Sequence, residues 1–289
     1  MRQPVKKPSL LTMDQINTMS DKDDRELVDR ANAEAMDKRP ILMGTINESR
    51  RAILKTAATM LAILPFARLP WPAAADAAGQ TPMKIGVIGS GRIGGTVGSL
   101  WVKAGHQVLF SSRHPEALKD LVEGLGPRAR AGMPREAAAF GEVILVSVPY
   151  HAVAQIGRDF ASELAGKVVL ETGNPYPSRD GEMAVSARDR GTGISSADFL
   201  PGVRLVRAFN SIPHYDLRSE AHRSGDRVAI PLAGDDPGAL KVASQLVEDA
   251  GFDPVVVGPL SRAKDFDVGT PVYARALTAR ELRQQLGMD

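Results

Sequence analysis

The 289-residue chain contains no cysteine, which excludes disulfides, thiolate metal ligands and a cysteine nucleophile. Histidine is scarce as well: the five histidines never fall into H-x-x-x-H or similar spacing, an argument against a zinc site. Excess charge of one sign is missing. Lys and Arg number 36 against 34 Asp and Glu, a formal charge of +2, so nothing points to nucleic acid as a partner. No apolar run is long enough for a confident membrane span; the best, Thr56 to Leu69, contains Pro65 and is followed by Pro70. The remaining composition, 43% hydrophobic and 24% charged, is that of an ordinary soluble globular protein of one large or two small domains.

Against these absences stands one dense stretch, Met83 to Arg113. An apolar run, Ile85 to Ile88, breaks into Gly89-Ser90-Gly91-Arg92-Ile93-Gly94 and continues at helical spacing through Leu100 and Val102. A second apolar run, Val108 to Phe110, follows Gly105. A G-x-G-x-x-G between a predicted strand and a predicted helix is the opening unit of a dinucleotide-binding fold. Gly89 permits the tight turn, Gly91 admits a pyrophosphate to bare backbone, and Gly94 lets the helix pack closely on the strand. The phosphates then lie at a helix N-terminus, where N–H groups and the dipole favour negative charge. Gly89, Ser90, Gly91, Arg92, Ile93 and Gly94 are the expected phosphate cradle.

The end of the second strand selects the nucleotide. NAD sites place Asp or Glu there, about 20 residues after the glycines, to bind the ribose 2′-hydroxyl. This chain has Ser111-Ser112-Arg113-His114 and no acid before Glu116. Two hydroxyls and a guanidinium suit a 2′-phosphate, because Arg offers a planar fork of donors. NADP is the expected cofactor, with Ser112 and Arg113 as its main selectors and Ser111 beside them.

Ahead of this unit, residues 1–42 are polar and charge-rich, and read as a solvated or disordered extension. Residues 43–78 have the layout of an export signal. Ser49-Arg50-Arg51-Ala52-Ile53-Leu54-Lys55 is followed by the apolar run and then by Ala73-Ala74-Ala75-Asp76-Ala77-Ala78. The pattern resembles a twin-arginine signal, with Ile53 at the usual aromatic position. It implies an exported, periplasmic protein, free of stable membrane insertion after cleavage near Ala75 or Ala77. Without a working signal the protein would stay cytoplasmic.

Beyond Arg113, helices are expected over Pro115–Leu125, Pro134–Phe140 and Ala152–Leu164, and strands over Val143–Val148, Lys167–Leu170 and Arg204–Phe209. A further strand-helix-strand unit runs from Val228 to Val257, with Asp236 capping its helix and Gly251 ending it. Thr278 to Leu286 closes the chain as a helix with Glu281 in its first turn. The alternation predicts an α/β fold: a Rossmann-like, doubly wound parallel sheet over 84–210 with a short α/β C-terminal extension over 211–289.

In such sheets ligands bind outside the carboxyl ends of the strands. The residues at those ends, Ser147, Val148 and Pro149, then Asn174 and Asn210, are expected around the cofactor. Tyr150, His151 and His214 are the candidate catalytic groups. A general acid in a familiar pattern is missing: Tyr150 and Tyr215 lack a Lys four residues on, and neither histidine has an assignable carboxylate partner. A reaction between two redox cofactors needs no such acid, only alignment of two rings and exclusion of water.

Gly89-Ser90-Gly91-Arg92-Ile93-Gly94, Ser111-Ser112-Arg113, Val146-Ser147-Val148-Pro149, Gly173-Asn174-Pro175 and Val206-Arg207-Ala208-Phe209-Asn210 together resemble the NADPH-dependent reductases of the deazaflavin coenzyme F420. The NADP-binding domain of the STEAP metalloreductases is similar. The resemblance runs from Lys84 to about Leu286. It implies hydride transfer between NADP and a flavin-like acceptor (F420, FMN or FAD), usually in a homodimer. It also implies Ser112 and Arg113 on the 2′-phosphate, the glycines and Ser90 on the pyrophosphate, and Val148-Pro149 on the nicotinamide side. The chain departs from the family where Trp-Glu-His is common and Tyr150-His151 stands here. Two rival readings remain: an NADP-dependent small-molecule dehydrogenase or imine reductase, whose relatives usually add an all-helical domain, and a non-catalytic NADP(H)-binding sensor.

Overall fold

The computed structural model describes residues 81–288. The expected extension at 1–42 and signal at 43–78 lie outside the described residues.

Eight strands form one sheet: β1 (Lys84–Ile88), β2 (Gln107–Ser111), β3 (Ala129–Gly132), β4 (Val143–Val146), β5 (Val168–Glu171), β6 (Arg204–Arg207), β7 (Ala229–Gly234) and β8 (Asp253–Gly258). Their spatial order is β3-β2-β1-β4-β5-β6-β7-β8. Neighbours from β3 to β6 are parallel; β7 runs antiparallel to β6, and β8 parallel to β7. The C-terminal extension thus adds its two strands to the same sheet. The chain order reverses between β1 and β4, so a crevice opens at their carboxyl ends.

Among the described residues eleven α-helices flank the sheet: α1 (Arg92–Lys103), α2 (Lys119–Leu125), α3 (Pro134–Phe140), α4 (Val153–Asp159), α5 (Ala161–Leu164), α6 (Pro177–Asp180), α7 (Glu182–Arg190), α8 (Thr192–Phe199), α9 (His214–Ser219), α10 (Pro237–Asp249) and α11 (Ala279–Gln285). Because both faces are covered, β1, β4 and β5 read as continuous apolar runs. Side chains alternate between two cores. Ile85, Val87 and Leu145 join Val97, Trp101 and Leu246 on the face of α1 and α10, whereas Ile88, Ile144 and Val146 join Ala137, Val153 and Leu164 on the other. Trp101 Nε1 donates to the Leu246 carbonyl at 2.7 Å, a buried bond tying α1 to α10. Both expected caps are present. Asp236 accepts from the Ala239 N–H, and Thr278 and Glu281 form a reciprocal capping box.

Several elements differ from expectation. β4 stops at Val146, because Pro149 has no N–H for a ladder and Ser147–Pro149 turns out of the sheet. The helix expected over Ala152–Leu164 is broken at Phe160 into α4 and α5. The segment between β5 and β6 holds three short helices, punctuated by Gly181 and Gly191 at positive φ. β3, with Arg130 inside a short run of small residues, carried no strand signal of its own.

Candidate functional site

A cleft of about 990 Å³ opens at the carboxyl ends of β1, β2, β4, β5 and β6. At one end lies the turn from β1 into α1. Gly89 has φ +93, and a Cβ there would sit 2.3 Å from the Ser147 carbonyl oxygen. A Cβ on Gly94 would fall 2.1 Å from the Gly89 oxygen. Gly91 is the opposite case: it is exposed, and an added Cβ would meet nothing within 4 Å. Two glycines are thus required by the protein's own packing, while the third leaves open space over backbone N–H groups. The first turn of α1 carries no acidic residue, so nothing there opposes an anion. Arg92 and Ile93 also line the cleft.

Next to this turn, the end of β2 brings Ser111, Ser112 and Arg113 into the same cleft. Arg113 is exposed and forms no ion pair among the described residues. Ser112 Oγ accepts from the His114 N–H at 3.0 Å, which fixes the loop. The expectation for Ser111 needs correction: its side chain is fully buried and its hydroxyl donates to the Val87 carbonyl at 2.7 Å, inside the sheet. Ser111 braces β1 against β2 and has no donor to spare.

The other end of the cleft is assembled from the loops after β4, β5 and β6. Ser147, Val148, Pro149, Asn174 and Asn210 all line it, as expected, with Thr172 Oγ1 donating to Ser147 Oγ at 3.2 Å. Asn174 Nδ2 donates to the Asn210 carbonyl at 2.7 Å, but its Oδ1 is buried without a partner in the structure. Both side-chain polar atoms of Asn210, and Ser90 Oγ, are likewise buried and unpartnered. Buried polar groups without partners are costly, and those lining a cleft are explained by a polar ligand. The residues therefore fit a dinucleotide: open backbone at Gly91 for the phosphates, a guanidinium at Arg113, and amide and hydroxyl groups at Ser90, Asn174 and Asn210. Phe209, beside Asn210, holds φ +57, an unusual backbone for a bulky residue, fixed by edge-on packing against Trp101 and Phe252.

The three catalytic candidates separate. Tyr150 is corrected: it is fully buried, its ring packs on Phe199, and its hydroxyl meets Ser196 Oγ at 3.0 Å outside the cleft lining. Burial, reinforced by the Glu171 charge, pushes that phenol well above the ordinary tyrosine range. His214 lines the cleft but is only 5% exposed, with its ring packed against Tyr215. His151 lines the cleft with its ring accessible, and it has the carboxylate partner that no spacing revealed: Nδ1 lies 2.7 Å from Asp180 Oδ1.

Four further residues escaped sequence reasoning: Tyr176, Arg179, Asp180 and Tyr273. The Tyr176 and Tyr273 hydroxyls are 2.5 Å apart, and Arg179 sits over the Tyr176 ring, making an aromatic, polar wall. Burial, then the neighbouring Tyr176, raises the Tyr273 hydroxyl well above its usual range. Beneath the wall a buried network fixes the loop after β5. Arg207 pairs with Glu171 and donates to the Gly173 carbonyl at 2.8 Å, and Asp267 accepts from the Thr192 N–H at 3.1 Å. Among the described residues no three His, Cys, Asp or Glu gather to hold a metal ion, and no helix is long and apolar enough to cross a membrane.

Comparison with known proteins agrees with this geometry. Residues 84–175 match the model of the family "NADP oxidoreductase coenzyme F420-dependent". Metalloreductase STEAP3 of Rattus norvegicus is 27% identical over 184 residues, 64% of this chain and 36% of that protein. The chain spans 36% of the length of the curated relatives it matches. Among solved structures, a hypothetical protein from Sinorhizobium meliloti superposes with TM-score 0.60 at 23% identity, over 68% of this chain and 96% of that one. A protein from Arthrobacter sp. FB24, named as an F420-dependent NADP-reductase, gives TM-score 0.55 at 21% identity, over 63% and 87%. At these identities the structures speak for the fold. Residues 84–175, which hold the glycine turn, the selector loop and the Ser147–Pro149 loop, are the stretch over which the chain is similar to the coenzyme F420-dependent NADP oxidoreductase family.

Proposed function

We propose that the protein is an NADP-dependent oxidoreductase that passes hydride between NADPH and a deazaflavin (F420) or flavin-type acceptor. The observation that carries this reading is the two-ended cleft. One end supplies open backbone and a guanidinium for a phosphorylated nucleotide; the other supplies a wall of Pro149, Tyr176, Phe209 and Tyr273 against which a flat ring can lie. NADPH, when bound, supplies the hydride. The protein's own part is to grip the phosphates at Gly89–Gly94, read the 2′-phosphate with Ser112 and Arg113, and offer Asn174 and Asn210 to polar edges of the bound rings. Oxidation of NADPH followed by absorbance, with F420, FMN, FAD and no acceptor in parallel, tests the reading. Rapid loss with one of these acceptors supports it. NADPH binding without turnover of any acceptor would instead favour the sensor.

One observation favours a second reading, a small-molecule dehydrogenase or imine reductase: the His151–Asp180 pair supplies a proton-transfer group that ring-to-ring transfer does not require. A carbonyl or cyclic imine substrate turned over faster than any flavin would establish it. We further propose export through the twin-arginine route, supported by the order Arg50-Arg51, apolar run, alanine-rich exit. Replacing Arg50 and Arg51 by Lys would then trap the protein in the cytoplasm; unchanged fractionation would refute export. A homodimer belongs to the same reading, and sedimentation equilibrium at monomer mass would remove it.

A further inference from the structure

His151 stands out because its partner is already satisfied without it. The Asp180 side chain is fully buried. It accepts from the Tyr176 N–H at 2.9 Å and from Arg179 Nε and Nη2 at 3.0 and 2.8 Å. Arg179 balances its charge, and Arg179 Nη2 is itself anchored on the Asn174 carbonyl at 2.7 Å. Burial opposes ionisation of Asp180, but the Arg179 bonds and charge, with those from Tyr176 and His151, outweigh it and hold the carboxyl below the usual aspartate range. A carboxylate so firmly held does not need a histidine for its own stability. What it does for His151 is fix the ring: an anionic oxygen at 2.7 Å from Nδ1 keeps a proton on that nitrogen.

With Nδ1 committed, Nε2 is the nitrogen available to a bound molecule, and it has no partner among the described residues. His151 stands two residues beyond Pro149, in the turn Tyr150–Ala152, and lines the cleft beside Val148 and Pro149. The other groups near it that could move a proton are less suited: His214 lines the cleft but is only 5% exposed, with its ring packed on Tyr215. Tyr176 and Tyr273 are hydrogen-bonded to each other, and the Tyr150 hydroxyl faces Ser196 outside the cleft.

We propose that His151 is the proton-transfer residue of this cleft, with Asp180 as its positioning residue. The acceptor is then a molecule with a C=N or C=O bond, isolated or conjugated within a ring, whose reduction leaves a proton on nitrogen or oxygen. The proposal rests on the hydride-transfer reading above. As carbon takes hydride supplied by the dihydronicotinamide, the π pair of that bond moves to the heteroatom. The heteroatom takes a proton from Nε2, whose N–H bond breaks. The imidazolium becomes neutral imidazole, its remaining proton staying on Nδ1 and hydrogen-bonded to the Asp180 carboxylate, and the acceptor has gained two electrons and two hydrogens.

The test has one readout on the protein alone and one on turnover. In nucleotide-free protein, nitrogen NMR of the neutral His151 ring should find the proton on Nδ1, and Asp180→Asn should abolish that preference. With the acceptor that wild type turns over fastest, His151→Gln should lower kcat about a hundredfold or more, the range of a lost general acid, and added imidazole should restore part of it. NADPH affinity, followed by its fluorescence, should stay within twofold in both variants, which also reports that they fold. A wild-type ring protonated on Nε2, or a tautomer untouched by Asp180→Asn, overturns the dyad even if turnover is fast. Full turnover by His151→Gln overturns the proton role while leaving the hydride reading intact. Wild type that oxidises NADPH with no C=N or C=O acceptor removes the hydride reading, and the proton role with it.

Discussion

The two ends of the cleft are built on opposite principles. The nucleotide end is contiguous in sequence and made largely of backbone: three glycines, the N-terminus of α1 and one exposed arginine, all between Gly89 and Arg113. The other end, where we place the acceptor, is assembled from residues as far apart as Asn174 and Tyr273, and its side chains are bonded to one another before any ligand arrives. A nucleotide common to many enzymes can be held by features that any sequence of the right pattern supplies. A ligand peculiar to one protein needs a shape that only tertiary structure provides.

The comparison can be broken at several points, and the glycines give the largest effects. Gly94→Val should abolish nucleotide binding and destabilise the fold together, since the added Cβ would lie 2.1 Å from a backbone oxygen. Gly91→Val should abolish binding while leaving the melting temperature nearly unchanged, because its Cβ enters open space. Equal thermal losses in the two variants would show that the turn serves packing only. At the other end, Arg207→Met leaves Glu171 buried without its cation and should cost about 3–5 kcal/mol in urea unfolding. A loss under about 1 kcal/mol would mean that the network does not hold the loop.

Two smaller effects sharpen the contrast. Arg113→Ala should weaken NADPH roughly ten- to a hundredfold and NADH hardly at all, the size expected for one lost charged hydrogen bond. Equal losses for both would take Arg113 off the 2′-phosphate. Asn210→Ala should weaken NADPH several-fold, yet leave urea stability unchanged or slightly raised, since neither side-chain polar atom has a partner among the described residues. Lower stability with unaltered binding would make Asn210 a structural residue.

The same contrast explains what could be read in advance. The β1–α1–β2 unit was legible because hydrophobic periodicity and glycine spacing act over a few residues, and the caps at Asp236 and Thr278 were legible for the same reason. Ser111 misled because a hydroxyl at a strand end reads the same whether it faces ligand or sheet. Tyr150 misled because Pro149 turns the chain just before it and sends its ring into the α8 side of the core. His151 and Asp180 lie 29 residues apart, one in the turn after β4 and the other at the end of α6 beyond β5, so no spacing rule joins them. The three short helices between β5 and β6 were not legible. Their faces are weakly patterned, and packing rather than propensity holds them.

The most direct test of the account is a calorimetric titration of the protein with NADPH and NADH side by side. The account predicts one nucleotide per chain, with NADPH bound at least tenfold more tightly than NADH and that preference lost in Arg113→Ala. Equal affinity for the two, or tighter binding of NADH, would contradict it.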